Sequence, residues 1–281
     1  MLSVNKGRSR TINIIILVVV FIGAAVSLAP MLYMTGTAFK ANAYIQEIPP
    51  QFVPNNPTLD NFVTAFTSRN FGRAFLNSVT VSVASAILST LLTAMMAYAF
   101  ARFDFVGKNI LYYSMLATMM VPGMIMIIPQ FIMAKNLKLL DNLFGLILIY
   151  TATPLAFNTF LLRGFFENLP RELEESALID GANHFVIFSR ILAPLAAPAI
   201  STVAVFTFLG AWGEYILALN FLTSEENRTL PIMIANFQGV HATDWGLIFA
   251  ASLSQIVPTV LLFIFFQRYF IQGLTSGAVR G

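Results

Sequence analysis

Six long stretches of this chain contain no Asp, Glu, Lys or Arg, and they constrain its fold more than any other feature. They cover residues 11–39, 74–101, 109–134, 142–162, 191–213 and 245–267, and they run from 21 to 29 residues. A helix that crosses roughly 30 Å of hydrocarbon at 1.5 Å per residue needs about 20 mostly apolar residues. The next longest charge-free stretch, 229–243, has 15 residues and contains Asn236, Gln238 and His241. An ionised side chain at mid-bilayer costs about 2.5–3.5 kcal/mol on insertion scales. The drop from 21 residues to 15 therefore separates spans from loops. The pattern predicts an all-α polytopic membrane protein with six transmembrane helices.

Composition agrees. Only 10% of the residues are charged and 57% are hydrophobic, whereas a soluble domain carries about 25% charged residues. Sixteen basic and thirteen acidic side chains are too few to cover a soluble surface, which excludes a soluble enzyme or transcription factor. The chain has no cysteine, so disulfides, zinc fingers and thiolate chemistry are excluded. It has no basic block that would suggest nucleic acid.

Six spans put both termini on one side. Lys6, Arg8 and Arg10 precede the first span, and the positive-inside rule places that end in the cytoplasm of a cell (inner or plasma) membrane. On this assignment ten Lys and Arg lie inside and six outside. Ser27-Leu28-Ala29 resembles a cleavage site, but the apolar stretch is too long for a typical signal peptide and Pro30 would follow the cut. A retained first helix is expected. Residues 36–73 and 218–245 form long outer loops, and the sequence places Thr58 as the cap of a short helix through Phe66. Three regions follow: 1–73 with the first helix and outer loop, 74–272 with five helices and an inner loop at 163–192, and a small Gly-rich tail at 273–281.

Several kinds of chemistry are missing. No G-x-x-x-x-G-K-[ST] loop is present, so the chain lacks a P-loop for ATP. Neither His184 nor His241 has a partner at metal-ligand spacing, and no metal or cofactor is expected. No charge falls in mid-span, where ion-coupled carriers usually place one. Glu214 comes closest. It reads either as an interfacial group beside Trp212 and Tyr215 or as part of a pathway. Pro122 and Pro129 read either as ordinary kinks or as breaks in a helix lining a pathway. A solute moved by such a chain must draw its energy from a partner.

Residues 168–194 are the best-punctuated part of the sequence. Pro170 suits a first helical turn, and Glu172, Glu174 and Glu175 suit the positive end of a helix dipole. Gly181 supplies a left-handed stop after Asp180. A second short helix near Ala182 would carry Phe185, Phe188 and Leu192 on one apolar face. Ser176, Ala177, Gly181 and Ala182 are small enough for another protein to approach closely. Spacing alone fits a docking knob and an amphipathic loop on the headgroups equally well.

Glu175-Ser176-Ala177, Asp180-Gly181-Ala182, Ile191 and Pro194 resemble the EAA loop of ABC importer permeases, with Ser176 in place of the first Ala. Trp212-Gly213-Glu214-Tyr215 resembles the family's Trp-Asn-Glu-Phe, with Gly213 departing from Asn. Pro122 and Pro129 match its Pro-x(6)-Pro pair. Thr229-Leu230-Pro231 and the ending Gly273–Gly281 are similar to the carbohydrate branch, the maltose-type permeases. The resemblance covers nearly the whole chain. It implies a type I importer transmembrane domain and a non-catalytic role. The implied partners are a second permease subunit (a heterodimer), two ATP-binding subunits and an extracytoplasmic solute-binding protein that docks on the outer loops. Glu175, Ser176, Ala177, Asp180, Gly181, Ala182 and Phe185 would couple to the ATPase, and Leu274, Thr275, Ser276 and Gly277 of the tail would reach it. Ser114, Thr118, Asn158, Glu214 and Gln255 are candidate lining residues for a carbohydrate pathway. A secondary carrier or channel for a small neutral solute is the alternative, and a membrane enzyme ranks third.

Overall fold

The computed structural model describes residues 10–41, 49, 51–68, 70–238 and 243–278. Two compact units form, one from the described parts of 1–69 with 234–255, the other from 70–233 with 256–278. The described residues are helical apart from turns and one isolated bridge, Gln238 to Thr243.

In the first unit, α1 (Arg10–Ala38) is a single helix with Pro30 inside it. A short helix, α2 (Asp60–Thr67), follows the loop. The Thr58 hydroxyl accepts from the Asp60 amide at 3.1 Å, so Thr58 turns the chain two residues ahead of the helix while Leu59 holds the cap position. The buried Asn61 amide donates to the carbonyls of Ala38 and Lys40 at 2.9 and 2.7 Å. Lys40 donates to the Gln51 carbonyl at 2.6 Å and lies over the Tyr33 ring. Gly36 is where this loop comes closest: a Cβ there would meet the Phe52 carbonyl oxygen.

The second unit is organised around α3 (Phe71–Arg102). Its buried residues recur at spacings of three and four and are mostly small: Ala74, Ser78, Ser82, Ser85, Ser89, Thr93, Ala97 and Ala101. Its exposed face carries Leu76, Ile87, Leu91, Leu92 and Met95. Small residues inside and large apolar residues outside suit a membrane helix, because lipid solvates the outer face while small side chains let helices approach.

Helix α4 (Lys108–Ala117) runs into a 3₁₀ turn at Thr118–Met120, and α5 (Ile127–Asn136) begins after an irregular segment. The stretch 109–134, expected as one of the six spans with Pro122 and Pro129 as kinks or breaks, is thus two helices. Pro122 has no amide to donate, and Pro129 sits in the first turn of α5, where that loss is harmless. Helices α6 (Leu143–Ala152) and α7 (Leu155–Glu167) form one stretch bent by 44° at Pro154.

The remaining elements are α8 (Glu172–Ile179), α9 (His184–Ile187), α10 (Ala193–Leu195), α11 (Ala197–Trp212), α12 (Ile216–Phe221), α13 (Leu230–Asn236) and α14 (Trp245–Ala278). A π-helical turn at Phe188–Leu192 joins α9 to α10, and an 81° bend lies between Leu195 and Ala197. Among the described residues, three helices are long and apolar enough to span a membrane by themselves, or five spans if each bent pair counts as one. The sixth stretch is the interrupted α4–α5. Helix α14 continues through Ala278, so the backbone of Leu274, Thr275, Ser276 and Gly277 extends the last helix where a loose tail was expected.

Helices α6, α7 and α11 pack on the small face of α3. One core, near the α8 end, joins Ala94, Ala97, Tyr98, Leu162, Phe166, Ile187, Leu192 and Val203. A second core, at the other end of α3, joins Val81, Leu146, Ile147, Tyr150, Phe221 and Ile232. Ala97 is fully buried. Ala97→Leu is expected to overpack this seam at a cost of about 1–3 kcal/mol, read as a lower Tm in detergent. Leu91→Ala, on the exposed face, is the near-neutral control.

Candidate functional site

The knob between α7 and α11 rises from a buried charged base. Arg102, the last residue of α3, pairs with Glu174 on α8 (Nε to Oε1, 2.5 Å), and their side chains are 5% and 12% exposed. Arg102 also donates through an Nη atom to the Leu169 carbonyl at 2.7 Å. The Tyr98 hydroxyl reaches the other Glu174 oxygen at 3.4 Å. Tyr98 stacks on Phe188 with ring centroids 5.3 Å apart, and Phe103 meets the His184 ring edge-on at 4.9 Å. Both ends of the knob are thereby fixed to the end of α3. A buried ion pair is stable only when its remaining donors and acceptors are satisfied, and Leu169 and Tyr98 supply those contacts.

Above this base the chain reverses at Gly181, whose φ of +84° only glycine adopts without strain. The Ala182 amide donates to the Ala177 carbonyl at 2.9 Å and the Gly181 amide to the Leu178 carbonyl at 3.0 Å. This doubled bond pattern ends α8. The Asn183 side chain then caps α9, accepting from the Val186 amide at 2.9 Å.

The turn presents Glu175, Ser176, Asp180 and Gly181 to the outside, while Ala177 is buried and Ala182 is half-buried against the core. The spacing predicts Phe185 on one face with Phe188 and Leu192, but Phe185 does not share it. It is 72% exposed, while Phe188 packs on the core and Leu192 is buried. The π turn at Phe188–Leu192 takes Leu192 out of α-helical phase with Phe185, while Phe185 stands at the exposed start of α9, ahead of that turn. Ile179, 87% exposed, stands on the same turn. The knob therefore presents apolar side chains, Ile179 and Phe185 foremost, with acidic groups and small residues on a rigid foundation.

The candidate lining residues do not converge. Ser114 and Thr118 are exposed on the α4 side of the break, and the Thr118 hydroxyl donates to the Met115 carbonyl at 2.6 Å. Asn158 is buried and donates to the Thr207 hydroxyl at 3.0 Å, joining α7 to α11. Glu214 accepts from the Tyr150 hydroxyl at 2.5 Å and from the amides of Leu217 and Ala218 at 2.8 and 2.9 Å. Its carboxylate caps α12 and ties α12 to α6. Gln255 belongs to the other unit.

A second cluster lies at the other end of α3. Asp141, in a left-handed conformation, accepts on one carboxylate oxygen from the amides of Thr223 and Ser224 and from the Ser224 hydroxyl, at 2.9–3.0 Å. The Asn227 side chain donates to the Asp141 carbonyl at 2.6 Å. Asn77 of α3 donates to the carbonyls of Glu226 and Arg228 at 2.8 and 3.0 Å, and the Ser78 hydroxyl accepts from the Leu230 amide at 2.7 Å. Residues Thr223–Leu230 are thus pinned to α3 and to the turn before α6. The side chains of Glu225 and Glu226 stay exposed.

Sequence reasoning did not single out Arg102, Tyr98, Asn77 or Asp141. Arg102 and Tyr98 are four apart and share a face with Ala94 and Ala101. An arginine continuing the small-residue face of a span was the available signal. Asp141 and Asn77 offered none, because their partners lie far away in sequence.

A multi-helix membrane frame with a rigid knob between α7 and α11 fits a transport permease, and the comparisons with known proteins define that class. Residues 89–276 match the family described as binding-protein-dependent transport system inner membrane component, and this chain belongs to that family. It is 37% identical to the diacetylchitobiose uptake system permease protein NgcG of Streptomyces coelicolor, over 92% of this chain and 85% of that protein. It is 35% identical to the arabinooligosaccharides transport system permease protein AraQ of Halalkalibacterium halodurans, over 92% and 93%. The trehalose transport system permease protein SugB of Mycobacterium tuberculosis is 33% identical, over 91% and 93%. In fold the chain is similar to a chain of a bacterial ABC transporter involved in alginate import, with a TM-score of 0.84 at 23% identity, covering 94% and 99% of the two chains.

The Asp141 cluster has a pH signature. Burial pushes its carboxyl upward, but the donors from Ser224, Thr223 and Asn227 outweigh burial and hold its pKa below the usual 3.8. The donors favour the charged form. The stability it contributes is therefore complete above about pH 3.8 and is lost as pH falls through the lowered native value. Tm measured against pH should show Asp141→Asn less stable than the parent at neutral pH, with the gap closing in acid.

Proposed function

We propose that this chain forms half of the transmembrane pathway of an ATP-binding-cassette importer that takes up a carbohydrate. The knob carries this reading. A turn of small and acidic residues, bearing Ile179 and Phe185, stands on a buried ion pair at the end of α3. Such a surface receives force from a partner without deforming. The three relatives above are named for diacetylchitobiose, arabinooligosaccharides and trehalose, which supports a carbohydrate as cargo. A second solved structure with a similar fold, TM-score 0.65, holds a bacterial alginate transporter with a pentasaccharide-bound periplasmic protein.

The chain is non-catalytic, and ATP hydrolysis resides on two ATP-binding subunits that dock on Glu175, Ser176, Ala177, Asp180, Gly181, Ala182 and Phe185. The knob and both termini face the cytoplasm, following the basic residues before the first span. A solute-binding protein docks on the opposite face, at the loops around 36–73 and 218–245, and a second permease subunit completes the pathway. Leu274–Gly277 reach the ATPase as the last turns of α14. Ser114 and Thr118, beside the α4–α5 break, line the route. Asn158 and Glu214 shape the route through their interhelical hydrogen bonds.

Gly181→Val tests the coupling surface. A β-branched side chain at a φ of +84° strains the turn by about 1–2 kcal/mol and blocks close approach. Sugar uptake by right-side-out membrane vesicles loaded with ATP should fall to background while the protein inserts at normal levels. Undiminished uptake by the variant would overturn the coupling role.

A further inference from the structure

The surface of α2 divides into three sectors. At about 100° per residue, Asn61 and Ala65 fall on one side, and both are buried. Leu59, at the cap position, falls with Val63 and Phe66 on a second side, and these are 62%, 57% and 55% exposed. Asp60, Thr64 and Thr67 make the third side, about 100° round from the apolar one, and they are exposed as well. The same unit fixes the height of α2. The span Ile12–Ala38 has 27 residues and rises about 40 Å, the thickness of a bilayer with its headgroup regions. Its end therefore lies among headgroups, just before Lys40, the first charge after Arg10. The Asn61 side chain donates to the carbonyls of Ala38 and Lys40, and the Thr58 amide donates to the Phe39 carbonyl at 2.8 Å. Phe62 packs on Phe39 with ring centroids 4.9 Å apart. The loop before α2 turns back along α1. Phe52 meets Tyr33 edge-on at 5.7 Å, and its carbonyl oxygen fills the place that a Cβ of Gly36 would take. Phe52 and Val53 expose apolar surface there.

We propose that α2 is an in-plane helix on the membrane surface, with Leu59, Val63 and Phe66 sunk into the acyl–headgroup boundary of the leaflet where α1 ends and with Asp60, Thr64 and Thr67 turned to water. The ligand is lipid, recognised through its acyl chains. Helix α2 has no Lys or Arg to hold an anionic headgroup, and its one charge, Asp60, lies on the wet side. Contact therefore does not depend on headgroup charge. A helix in the interface needs one apolar side and one polar side, and both are free on α2 after its third side is spent on the protein. A protein partner capping the loop would cover the two sides together. Helix α1, to which α2 is tied, exposes Phe21, Val26, Leu28 and Leu32 to the same acyl chains. Seated in this way, α2 holds the Ala38 end of α1 at a fixed depth. The inference goes beyond the importer reading and needs only that α1 span the membrane. A solute-binding protein that meets this loop is left with the polar sector.

The test uses the full transporter assembled in nanodiscs. This chain contributes no native cysteine, so Asp60→Cys, Val63→Cys, Thr64→Cys and Phe66→Cys each carry a single nitroxide label, and the unsubstituted transporter gives the background. Relaxation of the label by oxygen, which concentrates in acyl chains, is compared with relaxation by a nickel chelate, which stays in water. The oxygen-to-nickel ratio at Val63 and Phe66 should exceed that at Asp60 and Thr64 severalfold, equally in discs of phosphatidylcholine and in discs that also contain phosphatidylglycerol. Equal ratios on the two sides would overturn the proposal, as would lipid contact that requires the anionic lipid. A Val63 label shielded from both reagents, or shielded once the solute-binding protein is added, would give this face to a protein partner and overturn it too. Added to the Phe66→Cys variant, Val63→Asp should lower the ratio severalfold, whereas Val63→Leu should leave it unchanged. A ratio untouched by Val63→Asp would show that the apolar sector does not seat the helix. Sugar uptake by the parent transporter bears on the importer reading alone, so the two can fail separately.

Discussion

Everything in the larger unit depends on how closely helices approach the small face of α3. Serine, threonine and alanine at successive turns let α6, α7 and α11 come near. In lipid the hydrophobic effect does not drive helices together, so dispersion contacts and short polar bonds must do so. Asn158 to Thr207 and Ser85 to the Ile147 carbonyl are bonds of this kind. The large apolar side chains of α3 face the other way, where acyl chains solvate them. This arrangement leaves room at each end of α3 for a charged or polar clasp. The clasp near the knob is an ion pair, and the clasp near the loop is a set of neutral hydrogen bonds.

The ion pair follows the physics of buried charge. Removing one partner of such a pair costs about 3–5 kcal/mol, because the other is left unpaired. Arg102 suits the position because its guanidinium engages a carboxylate and a carbonyl at once. Glu174 sits in the first turn of α8, where a carboxylate also favours the helix dipole. The same residue thus stabilises its own helix and anchors it to another. Glu175, next in sequence, faces outward and is left for a partner.

Much of this was legible in the sequence, for identifiable reasons. The spans were legible because charge is excluded from lipid, and the glycine stop at Gly181 because φ is positive there. The interruption of 109–134 was half-legible. Pro122 and Pro129 marked the place, but a proline does not state whether a helix kinks or ends. The face shared by Phe185 and Leu192 was misread because the π turn at Phe188–Leu192 adds a residue that periodicity cannot anticipate. The end of the chain looked like a loose tail from its glycines, yet α14 continues to Ala278, since a single glycine costs a helix only about 1 kcal/mol. The pins at Asn77 and Asp141 were hidden because their partners are contributed by turns some 80 to 150 residues away.

The Asp141 pin also differs in kind from the chain's exposed ion pairs. Lys108–Asp104 and Arg163–Glu167 join opposite charges four residues apart, each with its carboxylate exposed. Mobile ions compete for such pairs, and they weaken as ionic strength rises. Asp141 is held instead by amide and hydroxyl dipoles at under 3.1 Å, with no cation that a salt ion could replace. The loop it shapes therefore keeps its form in brine as in dilute buffer. The charges on that loop, Glu225, Glu226 and the half-buried Arg228, are what sense the salt around it.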